Sequence, residues 1–211
     1  MRRGLLLVCG FAGSLLAALL LGCIAARGSS THMYLPCAVE QTPLQILELR
    51  SYDGPFVEDG SHRPVRNVAA LVLFNPSELY LEKGAVKIWQ EGRLLVFSFT
   101  CIPPGARVLV LEHSAKLYDP GKINDCWGWC VAGEKESLVQ VEEVGRSALA
   151  VTNLQQSTLG DITVYYKDYD PMQKLYIGGI SHNVTIRCLR PGHRVVVPAF
   201  MYLSGRSMVV K

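Results

Sequence analysis

The sequence predicts an all-β protein in which two tandem β-sandwiches follow one N-terminal transmembrane or signal helix. A ten-residue pattern carries this prediction because it occurs twice, at residues 101–110 and 188–197. Both copies read Cys, an aliphatic residue, any residue, Pro-Gly, any residue, Arg and three aliphatic residues. So detailed a match indicates a duplicated unit. After the N-terminal segment, short strand patterns separated by turn residues dominate, which is typical of β-sandwiches.

The N-terminal segment is apolar and uncharged over 23 residues, Gly4–Ala26, directly after Arg2 and Arg3. That length can cross a bilayer as a helix. We expect an uncleaved anchor, because a cleaved signal peptide has a shorter apolar region of about 7–15 residues. A lipoprotein lipidated at Cys23 is the second interpretation, since Leu20–Cys23 is similar to a lipobox, and a cleaved signal peptide is the third. All three export the remaining chain, and the arginines favour a cytoplasmic N-terminus.

The rest of the chain divides at a stretch of turn residues. Residues 1–27 are the predicted anchor or signal, 28–118 the first β-sandwich, 119–129 a linker rich in Asp, Gly and Pro, and 130–211 the second β-sandwich. The formal net charge is only +3 and no long run of Lys or Arg occurs, so nucleic acid is not expected as a partner.

The second copy carries an insertion in its central hairpin. Trp89 precedes Cys101 by 12 positions, whereas Tyr165 precedes Cys188 by 23, so about 11 residues are added around Asp168–Ile180. Insertions into a shared scaffold are common places for a specific binding surface. We expect an edge strand at 175–177 that is open to a protein partner. The predicted binding residues there are Tyr165, Tyr169, Met172 and Tyr176.

A second candidate surface is the segment Cys126–Cys130, which reads Cys-Trp-Gly-Trp-Cys. Its C-x3-C spacing differs from the C-x-x-C of thiol oxidoreductases, and no paired Cys/His motif for zinc stands nearby. Trp127 and Trp129 either pack a joint between the domains or bind a sugar or a membrane. No metal site and no cofactor are predicted, and the five scattered His form no catalytic pattern.

Five cysteines lie outside the anchor, in a segment expected to meet oxidising conditions. Alignment of the two copies predicts one disulfide in each domain, Cys37–Cys101 and Cys130–Cys188, with Cys126 left over. A local Cys126–Cys130 bridge is the rival, because sequence does not fix connectivity.

The order of strands in each copy resembles the FxLYD-type, immunoglobulin-like domains of bacterial cell-surface proteins and lipoproteins. The resemblance covers residues 40–113 and 136–205. It rests on an apolar strand ending at Asn75 or Asn153, a Gly-led strand, a hairpin and a Pro-Gly turn. It implies immunoglobulin-like sandwiches that interact outside the cytoplasm and carry no catalytic residues, so we expect no enzyme activity.

These observations predict a membrane-anchored, extracytoplasmic tandem β-sandwich protein that binds a protein partner or serves as a structural module of the cell envelope. A carbohydrate-binding surface module that uses the exposed aromatic residues is one alternative. A thiol-active envelope protein that uses Cys126 and Cys130 is the other.

Overall fold

A computed structural model describes residues 33–133, 138–145, 147–199 and 207–209, and it is all-β, with no helix in these ranges. The predictions for the anchor at 4–26 and for Cys23 lie outside the described residues. No helix of a length and hydrophobicity that would cross a membrane occurs in the described ranges. The strands are β1 (Cys37–Ala38), β2 (Gln45–Pro55), β3 (Pro64–Phe74), β4 (Tyr80–Gln90), β5 (Arg93–Ile102), β6 (Arg107–Leu111), β7 (Ile123–Gly133), β8 (Val139–Val144), β9 (Ala148–Asn153), β10 (Ile162–Asp170), β11 (Leu175–Ile186), β12 (Arg194–Pro198) and β13 (Ser207–Val209).

The strands form three sheets. The largest has seven strands in the order β1-β2-β3-β6-β11-β10-β13, and the two smaller sheets have the orders β5-β4-β7 and β12-β9-β8. Among the described strands the neighbours pair antiparallel, with the exception of β6 and β11, which run parallel. The large sheet therefore joins strands of the first copy to strands of the second.

The main hydrophobic core lies between the large sheet and the β5-β4-β7 sheet. Leu71 and Val108 contribute from the large sheet, and Val86 and Phe97 contribute from the small one. The apolar run of β3 has a simple cause, because both of its faces are covered. Leu71 and Leu73 face this core, whereas Ala70 and Val72 face a second cluster that includes Phe56 and Ile177.

The second copy has its own, smaller core. Leu149 and Val151 of β9 pack with Val164 and Tyr166 of β10, and Ile186 of β11 completes the cluster. The residues come from the β12-β9-β8 sheet on one side and from β10 and β11 on the other. Like the main core, this core therefore lies between two layers of strands, but it is smaller.

The two Pro-Gly turns have the same backbone conformation. In the first, the N–H of Ala106 donates to the carbonyl of Pro103, and Gly105 has a φ of 67°. In the second, the N–H of His193 donates to Arg190, and Gly192 has a φ of 66°. Proline followed by a residue at positive φ is the pattern of a type II β-turn, which explains why glycine stands there.

Three segments differ from the sequence-based predictions. Residues 51–55 contain Asp, Gly and Pro, a composition that predicts a loop, but they extend β2 as far as Pro55 because they pair with β3. The interval 119–129, predicted as a linker, contains the first part of β7, which pairs along most of β4. The segment 175–177, predicted as an open edge, lies inside the sheet between β10 and β6. In each case a distant strand supplies the backbone partners.

Candidate functional site

A groove lies where the inserted hairpin meets the first Pro-Gly turn. Its volume is about 590 Å³, and its walls are the turn residues 103–106 with Phe74, Arg107, Tyr169, Lys174 and Tyr176. Three of these walls are aromatic, two are cationic, and no carboxylate is present among the described lining residues. Two of the predicted binding residues, Tyr169 and Tyr176, therefore meet in one concave surface.

The tyrosines of the groove form a cross-strand pair. Tyr169 of β10 lies opposite Tyr176 of β11, and their rings meet edge to face with centroids 5.2 Å apart. Such a pair adds to the stability of a hairpin beyond the area it buries. Burial raises the pKa of Tyr176, so its hydroxyl stays neutral. On the opposite wall the guanidinium of Arg107 lies 6.0 Å from the ring centre of Phe74.

The hairpin is held against the first copy by a buried carboxylate. Glu58, in the loop between β2 and β3, accepts hydrogen bonds from three backbone N–H groups. Leu111 and Gly179 donate to Oε1, each at 2.8 Å, and Ile180 donates to Oε2 at 2.9 Å. These donors belong to β6 and β11, which pair in parallel at 108–109 and 176–177. Glu58 therefore links the two strands beyond the point where that pairing ends. This contact between the hairpin and the first copy is the junction. Burial raises the pKa of Glu58, and the three donors oppose that rise.

A fully buried lysine lies close to this carboxylate. Lys167 of β10 donates from Nζ to the carbonyl of Gly178 at 2.9 Å and to that of Gly179. Burial lowers the pKa of Lys167 to about 8, while the negative charge of Glu58 favours the charged amine. A buried charge needs such partners, because an uncompensated ion in a protein interior is costly.

The glycines at the same place allow close approach of three strands. Gly178 has a φ of 89°, and a Cβ there would lie 2.6 Å from Cγ2 of Val57. A Cβ on Gly179 would overlap the carbonyl oxygen of Ser98 on β5. Two residues after Gly179, Ser181 donates its N–H to Oγ1 of Thr100 at 2.8 Å. The inserted hairpin is therefore packed against the first copy over β5 as well as β6.

A half-buried imidazole borders this junction. The ring of His182 lies 5.2 Å from that of Tyr166 and 5.9 Å from that of His62. Its Nε2 is 4.0 Å from Oδ2 of Asp168. Burial lowers the pKa of His182 to about 4, with smaller contributions from His62 and Lys167. The imidazole is therefore neutral at pH 7.

The other predicted binding residues lie elsewhere. Tyr165 lines a separate cavity of about 430 Å³ with Tyr80 and Cys101. Met172 stands at the hairpin tip and is 93% exposed. Trp127 and Trp129 lie on the outer face of β7, where Trp129 is half exposed, and Trp89 of β4 shares that face because paired residues point to the same side. The structure does not bring the tryptophans and the tyrosines into one site.

The cysteines depart from the predicted pairing. All five in the described residues are free thiols, so neither Cys37–Cys101 nor Cys130–Cys188 is bridged. The alignment was misleading because Cys37 belongs to β1, beside β2, whereas Cys130 belongs to β7, beside β4. Instead, Sγ of Cys37 lies 3.9 Å from Sγ of Cys126.

A Cys126–Cys130 bridge is excluded by strand geometry. Both residues lie in the regularly paired part of β7. Four steps along an extended strand separate their Cα atoms by about 13 Å, nearly twice the reach of about 7 Å for a disulfide. Burial also raises the pKa of both thiols, to about 12 for Cys126. A reactive thiol needs the opposite shift.

The residues that matter most at the junction were not identified from sequence. In the sequence, Glu58 lies in a polar segment that is typical of a loop. Lys167 lies at the start of the inserted hairpin, where a charged residue is expected to be exposed to solvent. The Gly178-Gly179 pair was the available signal, since consecutive glycines in a strand often mark a close backbone approach. Phe74 and Arg107 were also missed as wall residues, because their contact with the insertion depends on the tertiary fold.

Comparison with known proteins gives no relative: no protein-family model matches the chain, and no curated protein matches it. Within the described ranges, no group of three or more His, Cys, Asp or Glu side chains is arranged to hold a metal ion. The residues that line the groove therefore define the chemistry open to it.

Proposed function

We propose that this chain is a membrane-anchored, extracytoplasmic protein with two immunoglobulin-like β-sandwiches that binds a protein partner of the cell envelope. The apolar segment 4–26 supports the anchor, and the two facing-layer cores support the sandwiches. In this proposal the first sandwich comprises β1–β7 and the second comprises β8–β13. The inserted hairpin joins them and contributes one wall of the binding groove.

The observation that carries the proposal is the composition of the groove. Tyr169, Tyr176 and Phe74 offer rigid apolar area, and Arg107 and Lys174 offer positive charge at the rim. Aromatic anchors with a charged rim are typical of protein interfaces. Because carboxylates are absent from the described lining, the partner segment that fits best is an extended stretch carrying Asp or Glu beside an apolar residue.

Site-specific photocrosslinking tests the proposal. A photoreactive phenylalanine analogue replaces Tyr169 in the full chain, which is expressed in its native membrane and irradiated. Tyr34 is the matched control position, since it is 84% exposed and lies outside the groove. We expect a discrete protein adduct from position 169 and none from position 34. An identical adduct pattern at both positions, or none at 169, would count against this surface.

The two alternatives give different results in the same material. A sugar-binding module predicts specific retention on a glycan array that is lost with Tyr169→Ala. A thiol-active protein predicts that Cys126 and Cys130 react rapidly with an alkylating reagent at pH 7. We expect neither, since the groove is cationic and burial raises the pKa of both thiols.

A further inference from the structure

The segment just after the predicted anchor runs beside β7 and is fixed to it on both sides of Cys126. The N–H of Met33 donates to the carbonyl of Ile123 at 3.0 Å, and the N–H of Gly128 donates to the carbonyl of Glu40 at 3.1 Å. Between these two hydrogen bonds the Cys126 thiol donates to the carbonyl of Ala38 at 3.4 Å. The backbone on both sides of the sulfur atoms is therefore held in place.

The two sulfur atoms face each other across this contact. Cys37 lies in β1, at the edge of the large sheet, and Cys126 lies in the β5-β4-β7 sheet, with Sγ to Sγ at 3.9 Å. Both side chains are part of or packed against the main core. A disulfide needs the sulfur atoms about 1.9 Å closer, at about 2.05 Å, a displacement within the range of side-chain rotation.

We propose that Cys37 and Cys126 form a disulfide that fastens the segment 33–40 to the opposite sheet. The oxidant is a small-molecule or protein disulfide. The thiolate of one cysteine attacks it and releases one reduced thiol, and the thiolate of the other cysteine then displaces the second. Two thiols and one external disulfide thus give one internal disulfide and two external thiols. Cys37 is only half-buried, so it is the residue that meets the oxidant first.

The pairing is selective because the other thiols have different surroundings. Cys130 is four residues along the same strand, and Cys101 packs against Tyr80. Cys188 is exposed and lies between β11 and β12. The bridge would close a loop between residues 89 apart in sequence, and closing long loops restricts the unfolded chain most strongly. The proposal stands whether or not the groove binds a partner.

Peptide mapping of the full chain in detergent tests the proposal. The protein is equilibrated with oxidised and reduced glutathione, free thiols are blocked by alkylation, and peptides are identified without reduction. We expect one linked peptide pair, Cys37 with Cys126, which survives in Cys130→Ser and Cys188→Ser. Alkylation of both residues after equilibration with oxidised glutathione would overturn the proposal, as would linkage of either to another cysteine.

A second measurement tests whether the bridge stabilises the fold. Thermal unfolding of one preparation is recorded with and without a reductant. We expect reduction to lower the Tm of the wild-type protein by roughly 5–10 °C, whereas the Tm of Cys126→Ser should not change with the reductant. Equal Tm values for the oxidised and reduced wild-type protein would overturn the fastening role.

Discussion

Asn75 and Asn153 make corresponding hydrogen bonds at two places in the chain, and Asn75 makes one more. The side-chain amide of Asn75 donates to the carbonyls of Leu79, Ile102 and Pro103, and that of Asn153 donates to Ser157 and Leu189. The backbone carbonyl of each accepts from the glycine of its Pro-Gly turn. Both side chains are buried. The duplicated motif therefore encodes one structural corner, and the asparagine that ends the preceding strand is its centre.

Removal of either asparagine side chain should be costly. Asn75→Ala and Asn153→Ala each leave buried carbonyl groups without a donor, so we expect a loss of about 2 kcal/mol in the free energy of unfolding. The loss should be larger for Asn75→Ala, because the amide of Asn75 donates to three carbonyls beside the larger core. Urea denaturation measures both, with exposed Asn183→Ala as the control. If both variants lose no more stability than Asn183→Ala, the corner does not depend on asparagine.

Lys167 should be essential to the junction between the hairpin and the first copy. Lys167→Met removes the donor to the carbonyls of Gly178 and Gly179 and leaves the buried carboxylate of Glu58 without a positive charge. Breaking such a set costs about 3 kcal/mol. Exposed Lys122→Met is the matched control in the same denaturation experiment. Equal stability of the two variants would mean that the buried charges do not hold the hairpin.

Gly178 and Gly145 both have a positive φ, but only Gly178 also lacks space for a side chain. Both have positive φ, 89° and 64°, but a Cβ on Gly178 would meet Val57 at 2.6 Å whereas Gly145 has open space around it. Gly145→Ala should cost about 1 kcal/mol from backbone strain, and Gly178→Ala should cost more. A thermal melt of each variant checks the order. A smaller effect at Gly178 would contradict the close packing of the hairpin on the 56–63 loop.

Acidification should weaken the fold through His182. Burial lowers its pKa to about 4 from an ordinary value of 6.5. The unfolded chain therefore binds a proton that the folded chain does not as the pH falls below 6.5, and stability is lost towards pH 4. After allowance for partial exposure, the loss between pH 7 and pH 5 is about 1 kcal/mol. His182→Gln should flatten this dependence relative to exposed His193→Gln. If the stability of the two variants depends on pH in the same way, His182 is not the group responsible for the loss of stability in acid.

Local features of the fold could be predicted from sequence, and non-local ones could not. The alternation in β2, the apolar run of β3 and the Pro-Gly turns depend on neighbouring residues, so they appear in the sequence. Glu91 and Gly92, both at positive φ, form the tight turn between β4 and β5, and a glycine in such a turn is a local signal. The parallel pairing of β6 with β11 joins residues 108–109 to 176–177. Nothing local in either strand specifies that partner, so the insertion was interpreted as an open edge.

The candidate site shows the same division. The aromatic content of the insertion pointed to Tyr169 and Tyr176, which do share a groove. Tyr165 is more exposed than these two and faces another cavity, because the bulge between Tyr166 and Asp168 changes the register of β10. The predicted cysteine pairing was wrong for a related reason. It was based on which cysteines correspond in the two repeats. In the structure, the sulfur atoms that meet are set by the contact between β1 and β7, which belong to different sheets.

Binding of a charged peptide to the groove tests the central claim most directly. Fluorescence anisotropy of the full chain in detergent is measured with a labelled extended peptide that alternates Asp with Phe or Leu, and with the same peptide carrying Lys in place of Asp. We predict binding of the acidic peptide alone, about tenfold weaker binding for Lys174→Glu, and unchanged affinity for the exposed control Lys122→Glu. Equal affinity for both peptides, or insensitivity to Lys174→Glu, would contradict the account.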